Sequence, residues 1–231
     1  MVESMTNHSY EVEVKCLIGG KEEANELMRK MQAFDPNLER LGLNKQLNHY
    51  FVGGDLHRFF ANVQGFMADD KRSQLEELAK EAKDYSLRTR QANDKIILVL
   101  KISVDEGTSA NTVSRIEFEA ETPNLTLEEL DNLALKSGFE YQAKWSRERS
   151  EYKYLGANVT IDKNAGYGYL AEFEKVINDE AKVAEVKSQL RELIAKLNLE
   201  ELLQDRLERM FAFYNANWQD YYGTDKVFVV R

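Results

Sequence analysis

The sequence contains little cysteine and little proline. Its 231 residues include one cysteine, Cys16, and two prolines, Pro36 and Pro123. A lone cysteine cannot form an internal disulfide bond, which is typical of proteins from a reducing compartment. The scarcity of proline and the lack of any stretch rich in glycine and serine argue against a long flexible linker. We therefore expect one domain over residues 1–231.

The sequence also lacks a long apolar run and an excess of positive charge. Its first residues, MVESMTNHSYEVEVK, are too polar for a signal peptide, and no apolar run approaches the length of a membrane span. We therefore expect a cytoplasmic protein without a membrane partner. The 40 acidic and 31 basic residues give a net charge of −9, which argues against extended nucleic acid as a partner. A buried basic pocket for a small anion is compatible with this sum.

The order of predicted elements is typical of an antiparallel α+β fold. Period-two alternation predicts eight extended segments, at 10–17, 43–52, 85–90, 95–104, 113–121, 142–150, 151–160 and 169–176. Helical periodicity covers 21–34, about 55–84, 126–138 and 180–210, and Thr126 with Glu129 forms a capping-box pattern. The strands follow one another in hairpins instead of regular βαβ units. This order favours an antiparallel sheet that closes into a barrel.

Charged residues alternate with apolar ones along nearly every predicted strand. On any single strand, the ordinary explanation is a sheet with one face in water. Here the charges also segregate by sign along the chain. The faces carry Glu11, Glu13 and Lys15; Arg88 and Arg90; Lys101; Arg115, Glu117 and Glu119; Arg147 and Arg149; and Glu172 and Glu174.

If the sheet closes on itself, these charged faces meet inside a polar tunnel. Interior charges are costly unless a ligand or a metal ion neutralises them, so such a tunnel indicates an anionic ligand and a cation. Arginine forks match phosphate oxygens, and clustered carboxylates match Mg²⁺ or Mn²⁺. The pattern therefore predicts a site for a small phosphate-containing molecule and a divalent metal ion.

The ordered positions of these residues resemble the motifs of the CYTH superfamily, also called triphosphate tunnel metalloenzymes. Its first motif, ExExK, is Glu11-Val12-Glu13-Val14-Lys15 here, and alone it is too short to be specific. The order of the other motifs makes the resemblance specific over a core at about 10–176. They are YF at Tyr50-Phe51, LRxR at Leu87-Arg88-Thr89-Arg90, a strand lysine at Lys101, RxExE at Arg115, Glu117 and Glu119, KxRxxY at Arg147, Arg149 and Tyr152 with Arg in place of Lys, and a last motif at Asp162, Gly166, Gly168, Glu172 and Glu174 with Tyr167 where Leu is usual.

The resemblance implies a closed eight-stranded antiparallel β-barrel with flanking helices and a triphosphate in its bore. The phosphate oxygens would contact Lys15, Arg88, Arg90, Lys101, Arg115, Arg147 and Arg149. The Mg²⁺ or Mn²⁺ ions would be held by Glu13, Glu172 and Glu174, with Glu11, Glu119 and Asp162 as further ligands. Glu11, Glu117 and Glu119 would hold a second metal ion or the attacking water. The implied catalytic residues are Glu11, Lys15, Lys101, Glu117 and Glu119.

The family includes triphosphatases and class IV adenylyl cyclases, and the motifs do not separate these activities. A triphosphatase would hydrolyse inorganic tripolyphosphate or a small organic triphosphate. A class IV cyclase would convert ATP to cyclic AMP and pyrophosphate. A third hypothesis is a non-catalytic polyphosphate-binding module, although a pure binder gains little from glutamates in its pocket. The sequence leaves open whether the protein is a monomer or a homodimer.

Two segments depart from the family pattern: the helical insertion at about 55–84 and the tail 218–231 in the C-terminal region 180–231. We expect the insertion to dock at one rim of the barrel, where it either tunes substrate choice or has no contact with substrate. In the tail, aromatic packing under a final strand is favoured over stacking on a substrate ring. Cys16 is predicted to pack in the core, and His8, His49 and His57 are predicted to have no site role.

Overall fold

The computed structural model of the chain describes residues 10–82, 85–103 and 115–230. Within these ranges the chain forms one eight-stranded antiparallel sheet and six α-helices, so the expected α+β class is confirmed. The strands are β1 (Tyr10–Gly19), β2 (Glu39–Gly53), β3 (Tyr85–Ala92), β4 (Lys95–Ser103), β5 (Arg115–Glu121), β6 (Phe139–Tyr154), β7 (Ala157–Asn164) and β8 (Gly168–Ile177). The helices are α1 (Lys21–Phe34), α2 (Leu56–Val63), α3 (Asp69–Glu81), α4 (Leu127–Lys136), α5 (Val183–Lys196) and α6 (Gln204–Asn217).

Neighbouring strands of the sheet are all antiparallel, in the order β1-β8-β7-β6-β2-β3-β4-β5. The two longest strands, β2 and β6, pair from one end to the other. Strands β1 and β5 form the edges, and no backbone hydrogen bonds join them in the part of the chain that is described. The expected eight strands are therefore present, but their described hydrogen bonds do not close the sheet into a barrel.

The two faces of the sheet differ in chemistry, because side chains alternate along each strand. One face, called the charged face below, carries the charged residues that the sequence analysis identified on β1, β3, β6 and β8. The other face, called the outer face, is apolar and lies under the helices. The helices therefore bury the core, and the charged face remains available for a ligand. None of the described helices combines the length and the apolar composition that crossing a bilayer requires.

The outer face of β1, β7 and β8 is buried under α1 and α5. Val12, Val14 and Cys16 alternate with the charged residues of β1, and each is at most 4% exposed. They belong to one cluster with Leu27 of α1 and Leu190 of α5. Full burial of an aliphatic side chain stabilises a fold by roughly 1.5–3 kcal/mol, so this cluster is a major part of the core. The expected core position of Cys16 is confirmed.

The insertion buries the outer face of β3, β4 and β5. Phe59 of α2 and Leu75 of α3 are fully buried, and they share a cluster with Leu87, Leu98 and Phe118 of the sheet. The insertion thus lies on the outer face and not at one rim of a barrel, which corrects the expectation from the sequence. The physical reason is that these strands present large apolar side chains that α2, α3 and α4 remove from water. Replacing the insertion by a short turn would expose part of the core.

Helix α6 covers one end of the charged face. Leu17, Trp145 and Leu170 of the sheet pack in one cluster with Met210 of α6. The ring of Tyr214, also in α6, stacks on Trp145 with 3.9 Å between the ring centroids. The hydroxyl of Tyr214 donates a hydrogen bond to the backbone oxygen of residue 144 at 2.9 Å. This end of the face is therefore apolar, whereas its middle is basic.

The tail continues across the same end of the sheet. Backbone hydrogen bonds run from the Gly166 nitrogen to the Lys226 oxygen and from the Phe228 nitrogen to the Gly166 oxygen. Phe228 packs on Tyr167, so the expected packing of aromatic residues is confirmed. The expected final strand is wrong: between residues 221 and 230 the chain makes one isolated bridge, Gly166 to Val227.

Two predicted boundaries are also wrong. The sequence predicts a strand break at 150/151, but β6 continues to Tyr154, and the turn lies at Leu155 and Gly156, with φ of 45° and 80°. Apolar alternation does not locate this turn, because it continues across 150/151. The sequence also predicts one helix at 180–210, but α5 and α6 are separate helices, and Asn198 between them has φ of 58°. A single left-handed residue ends a helix without changing the apolar period.

A buried polar network lies on the outer face under α4. Asp131 of α4 is 2% exposed and accepts hydrogen bonds from the hydroxyls of Thr89 at 2.5 Å and Tyr141 at 2.7 Å. Its Oδ2 lies 2.7 Å from Nδ1 of His49, and Nε2 of His49 lies 2.8 Å from the hydroxyl of Tyr222. The network therefore joins α4, three strands and the tail. This places His49 away from the charged face.

Neither of the two described histidines, His49 and His57, lies on the charged face. His57 is exposed on α2. His8 lies outside the described residues.

Replacing Asp131 by alanine should lower the free energy of unfolding by about 3 kcal/mol, because it leaves several buried polar groups without their partner. Urea denaturation followed by circular dichroism measures this change. Asp70→Ala, on the exposed surface of α3, is the matched control and should change the free energy by less than about 1 kcal/mol. Equal effects of the two substitutions would show that the network does not stabilise the fold.

Candidate active site

On the charged face, several arginine side chains are more deeply buried than the glutamates around them. The residue Arg88 is 7% exposed, and the side chain of Arg90 is 14% exposed. By contrast, the side chains of Glu13 and Glu119 are 45% and 44% exposed. Charges in a partly buried environment interact more strongly than charges in water. The guanidinium groups therefore dominate the electrostatics of the face.

Three guanidinium groups converge around Tyr50. Nη1 of Arg88 donates to the Tyr50 hydroxyl at 2.9 Å, and Cζ of Arg88 lies 5.3 Å from the centroid of its ring. Burial and repulsion by Arg88 lower the pKa of Arg90 to about 10, with Arg147 adding to the repulsion and Glu119 opposing it. Burial would raise the pKa of Tyr50, but Arg88 and Arg147 lower it overall. Arg88, Arg90 and Arg147, called the arginine cluster below, therefore favour a bound anion.

One buried carboxylate holds two arginines beside this cluster. Asp162, 1% exposed as a residue, accepts hydrogen bonds from Nε and Nη2 of Arg149 at 2.8 and 2.7 Å, and from Nη1 of Arg147 at 3.1 Å. Burial would lower the pKa of Arg149, but Asp162 and Glu172 raise it overall. The Asp162 carboxylate therefore forms ion pairs with two arginines at once. The assignment of Asp162 as a metal ligand stays a prediction, since both its oxygens contact arginine here.

Lys15 joins β1 to β8 in the middle of the charged face. Its ammonium group contacts Glu13 and lies 3.4 Å from Oε1 of Glu172. Burial would lower the pKa of Lys15, but Glu172 and Glu13 raise it overall. Burial would likewise raise the pKa of Glu172, but Lys15 and Arg149 lower it overall. Both groups are therefore charged at neutral pH, and Lys15 presents a permanent positive charge.

Carboxylates gather towards the end of the charged face that lies away from α6. Glu13 and Glu174 are register partners on β1 and β8, and Glu11 is two residues before Glu13 on the same face. Burial raises the pKa of Glu174, and repulsion by Glu11 and Glu13 raises it further. A divalent cation would relieve this repulsion, and Mg²⁺ and Mn²⁺ prefer carboxylate oxygens. Glu11, Glu13 and Glu174 are called the acidic end below.

The acidic end suits a cation that binds together with a phosphate. Among the described residues, no three His, Cys, Asp or Glu side chains lie close enough together to form a metal site. Mg²⁺ in phosphate-processing enzymes is usually held by one or two carboxylates and completed by substrate phosphates and water. The donor chemistry of the acidic end fits this arrangement, because it supplies carboxylates near a basic surface for phosphate.

Strands β4 and β5 extend the charged face beyond the arginine cluster. Glu119 accepts a hydrogen bond from Nη1 of Arg90 at 2.8 Å. Lys101 is partly exposed, and its backbone is in register with that of Glu117. The side chains of Arg115 and Glu117 lie outside the described part of the structure, although their backbone belongs to β5. The structure therefore brings together the candidates on β1, β3, β6, β7 and β8 with Glu119. The roles of all the site candidates, including Arg115 and Glu117, stay predictions.

Two amide side chains of β2 also lie on the charged face, and the sequence analysis does not identify them as site residues. Gln46 and Asn48 are 6% and 2% exposed. Their oxygens accept hydrogen bonds from Nε of Arg147 at 2.7 Å and from Nε of Arg90 at 3.0 Å. A signal for them exists in the sequence, because period-two alternation places both on the same face as Tyr50.

Glu174→Gln should raise the free energy of unfolding at pH 7 by roughly 0.2–1 kcal/mol, the range for partly exposed charges. The folded-state pKa of Glu174 is raised, so its contribution to stability is full below the ordinary glutamate pKa of 4.5 and is lost as the pH rises through the folded-state value. The difference from the wild type should therefore vanish near pH 4. Thermal unfolding at both pH values measures it.

The control for this prediction is Glu140→Gln, at an exposed position of β6. This substitution should not raise the free energy of unfolding at pH 7 relative to pH 4. Millimolar Mg²⁺ should also stabilise the wild type more than Glu174→Gln, because the cation relieves the repulsion that the substitution already removes. If Glu174→Gln is no more stable than the wild type at pH 7, or if its advantage is larger at pH 4 than at pH 7, then burial and repulsion do not raise the pKa of Glu174.

Several solved structures share this fold. The PH1012 protein of Pyrococcus horikoshii matches with a TM-score of 0.57 and 17% identity, over 83% of this chain and 92% of that one. A candidate adenylate cyclase of Vibrio parahaemolyticus matches with a TM-score of 0.55 and 16% identity, over 88% and 98% of the two chains. HpAC1 of Hippeastrum, a candidate adenylyl cyclase with a dominant triphosphatase activity, matches with a TM-score of 0.51 and 16% identity, over 89% and 96%. At these identities the similarity shows the fold alone.

A protein-family match covers most of the chain and all of the candidate site. No curated protein matches the chain at a significant level. The CYTH domain matches residues 9–206, a range that includes every motif residue from Glu11 to Glu174. The chain therefore belongs to the CYTH family, whose members are typically triphosphate tunnel enzymes.

Proposed function

We propose that the protein hydrolyses a triphosphate on the charged face with the help of a divalent metal ion. The substrate would be inorganic tripolyphosphate or a small organic triphosphate. The observation that carries the proposal is the arginine cluster, in which burial, together with repulsion by Arg88 and Arg147, lowers the pKa of Arg90 to about 10. Three partly buried guanidinium groups around one tyrosine favour a ligand with several negative charges. A triphosphate has these charges along its length, and it is the substrate class typical of the family.

The proposal includes an enclosed tunnel, which needs a strongly curved sheet. Side chains from strands that are not neighbours meet on the charged face. Arg90 on β3 contacts Glu119 on β5 at 2.8 Å, and Arg149 on β6 lies 3.4 Å from Glu172 on β8. Each contact reaches across an intervening strand, which supports a concave charged face. Enclosure would exclude water and so strengthen every charge interaction with the substrate.

The chain's own residues would bind and orient the phosphates. The arginine cluster and Arg149 offer planar forks that match phosphate oxygens with paired hydrogen bonds. The ammonium group of Lys15 would add a positive charge. Burial would lower its pKa, but Glu172 and Glu13 raise it overall, so the group stays protonated. Phosphoryl transfer depends mainly on such positioning and charge neutralisation. Lys101 and Arg115 complete the proposed set of binding residues.

Carboxylates would hold the metal ion and the attacking water. Glu13 and Glu174, with Glu172 beside them, are the proposed ligands, and Asp162 is a further one if its arginines turn to the substrate. A bound Mg²⁺ or Mn²⁺ ion would neutralise phosphate oxygens and assist the activation of water. Glu11 and Glu119, which are exposed on the same face, would orient the water. Glu117 is proposed to assist them.

Adenylyl cyclase activity is the second candidate. HpAC1, which shares the fold, is a candidate adenylyl cyclase in which triphosphatase activity dominates. The same charges could bind ATP for either reaction, because only the nucleophile differs. We place hydrolysis first, since water needs only the charges described above, whereas a cyclase must also hold the ribose of ATP. Chromatography of the products from ATP separates the two: cyclic AMP with pyrophosphate, or nucleotide with phosphate.

The purified protein should release phosphate from tripolyphosphate in the presence of Mg²⁺ or Mn²⁺. An excess of EDTA should reduce the rate at least about a hundredfold, because a metal ion stabilises charge in the transition state by several kcal/mol. Re-addition of either metal ion should restore the activity. A colorimetric phosphate assay measures the rate. Undiminished turnover in EDTA, or no turnover of tripolyphosphate, ATP or thiamine triphosphate with either metal, would refute the proposed function.

Arg90→Gln should lower kcat/KM for a triphosphate at least about tenfold, because a charge-assisted contact with phosphate contributes ~1.5–3 kcal/mol. Its free energy of unfolding should stay within about 1 kcal/mol of the wild type, since the substitution also removes repulsion by Arg88 and Arg147. Arg29→Gln, on exposed α1, is the control and should change neither quantity. If Arg90→Gln loses stability and keeps full activity, Arg90 is structural.

A further inference from the structure

A row of amide side chains on β2 runs through the charged face. The row consists of Asn44, Gln46 and Asn48, which are spaced by two residues and so lie on one face of the strand. Nδ2 of Asn48 donates to Oε1 of Gln46 at 3.5 Å, and Nε2 of Gln46 donates to Oδ1 of Asn44 at 2.6 Å. Nδ2 of Asn44 then donates to Oε1 of Glu151 at 3.2 Å. The three amides, called the amide row below, therefore form a chain with one direction.

The partners at both sides fix this direction. Arg147 donates through Nε to Oε1 of Gln46 at 2.7 Å, and Arg90 donates through Nε to Oδ1 of Asn48 at 3.0 Å. Arginine has no acceptor atom, so each amide must turn its oxygen to the guanidinium group. The ionised carboxylate of Glu151 can only accept, so Asn44 must turn its nitrogen to it. The amide row thus supplies oxygens to two members of the arginine cluster.

An amide oxygen orients a guanidinium group and leaves its charge intact. A carboxylate in the same place would also accept the hydrogen bond, but it would neutralise the arginine, as Asp162 does for Arg149. Gln46 and Asn48 are buried and neutral, so they add no negative charge in the depth of the face. They occupy the Nε atom of each arginine, while Nη1 of Arg90 donates to Glu119 at 2.8 Å and Nη1 of Arg147 donates to Asp162 at 3.1 Å.

We propose that Gln46 and Asn48 are positioning residues for the substrate phosphates. They hold Arg147 and Arg90 through neutral acceptors and so add no negative charge beyond that of Asp162 and Glu119, which already contact these two arginines. This inference rests on the proposed function, because it takes a polyphosphate as the ligand. Neither residue belongs to the motifs of the family resemblance, and neither is proposed to contact the substrate.

The test compares Asn48→Asp with Asn48→Leu, and Asn132→Asp on the exposed surface of α4 serves as the charge-matched control. Asn48→Asp keeps an acceptor for Arg90 and adds a charge. The amino group that it removes donates to Gln46 over a long distance, 3.5 Å. The affinity for tripolyphosphate in EDTA, measured by calorimetry, should fall at least about tenfold for Asn48→Asp. Its melting temperature should not fall, because the added carboxylate offsets repulsion between the arginines. Asn132→Asp should change neither quantity.

The other variants separate positioning from structural support. Asn48→Leu should lower both affinity and melting temperature, because Arg90 loses its buried partner. Gln46→Glu applies the same test to Arg147 and should weaken binding in the same way. For both carboxylate variants we expect a higher KM for tripolyphosphate with Mg²⁺ and a smaller change in kcat, since the arginines bind phosphate in the ground state as well. A residue with only a structural role would tolerate the carboxylate without loss of affinity.

The outcomes that overturn the inference differ from those that overturn the proposed function. If Asn48→Asp and Gln46→Glu bind tripolyphosphate as tightly as Asn132→Asp, the inference is wrong and the proposed function stands. Failure of both carboxylate variants to fold would also overturn it, because the amides would then serve the fold. If the wild type binds tripolyphosphate but turns over neither it nor ATP nor thiamine triphosphate with either metal ion, only the proposed function fails. If the wild type neither binds tripolyphosphate nor turns over any of the three triphosphates, both fail.

Discussion

The concentration of charge on one face of the sheet determines where every other part of the molecule lies. Charged side chains cannot be packed against apolar ones without a large cost in solvation, so the apolar residues of each strand occupy the opposite face. That face is too large and too apolar to remain in water, and two groups of helices cover it. The hydrophobic core consequently lies between the outer face of the sheet and the helices α1 to α5.

The same constraint explains how the arginines are held. Each guanidinium group needs acceptors, but a full set of carboxylates would cancel the charge that makes the site useful. The structure meets both needs with Asp162, which is shared by two arginines, with amide oxygens on β2, and with the phenol of Tyr50. The remaining positive charge lies deep in the face, and the carboxylates of the acidic end lie nearer to solvent. This polarity would orient a complex of phosphate and metal ion as it binds.

The sequence predicts the parts of the structure that depend on the spacing of apolar and charged residues along the chain. Alternation along the strands identifies both faces, and the order of the charged residues identifies the family. The parts that it does not predict depend on tertiary contacts. A buried aspartate such as Asp131 has the same sequence context as an aspartate on a solvated helix, and only the fold brings Thr89, His49 and Tyr141 to it. Gln46 and Asn48 are similar: alternation places them on the same face as Tyr50, but only the fold brings Arg147 and Arg90 to them.

The covering of one end of the charged face by α6 has a consequence for the kind of polymer that the proposed tunnel could process. Trp145 stacked on Tyr214, with Leu17 and Leu170 beside them, leaves an apolar wall where a phosphate chain would have to emerge. A bore with a blind end admits substrate and releases product through the same mouth, so a long polyphosphate cannot be threaded through it. Cleavage of such a chain in the proposed tunnel would start at its terminus and would require release and rebinding after each cut, which would favour short linear phosphates over long ones.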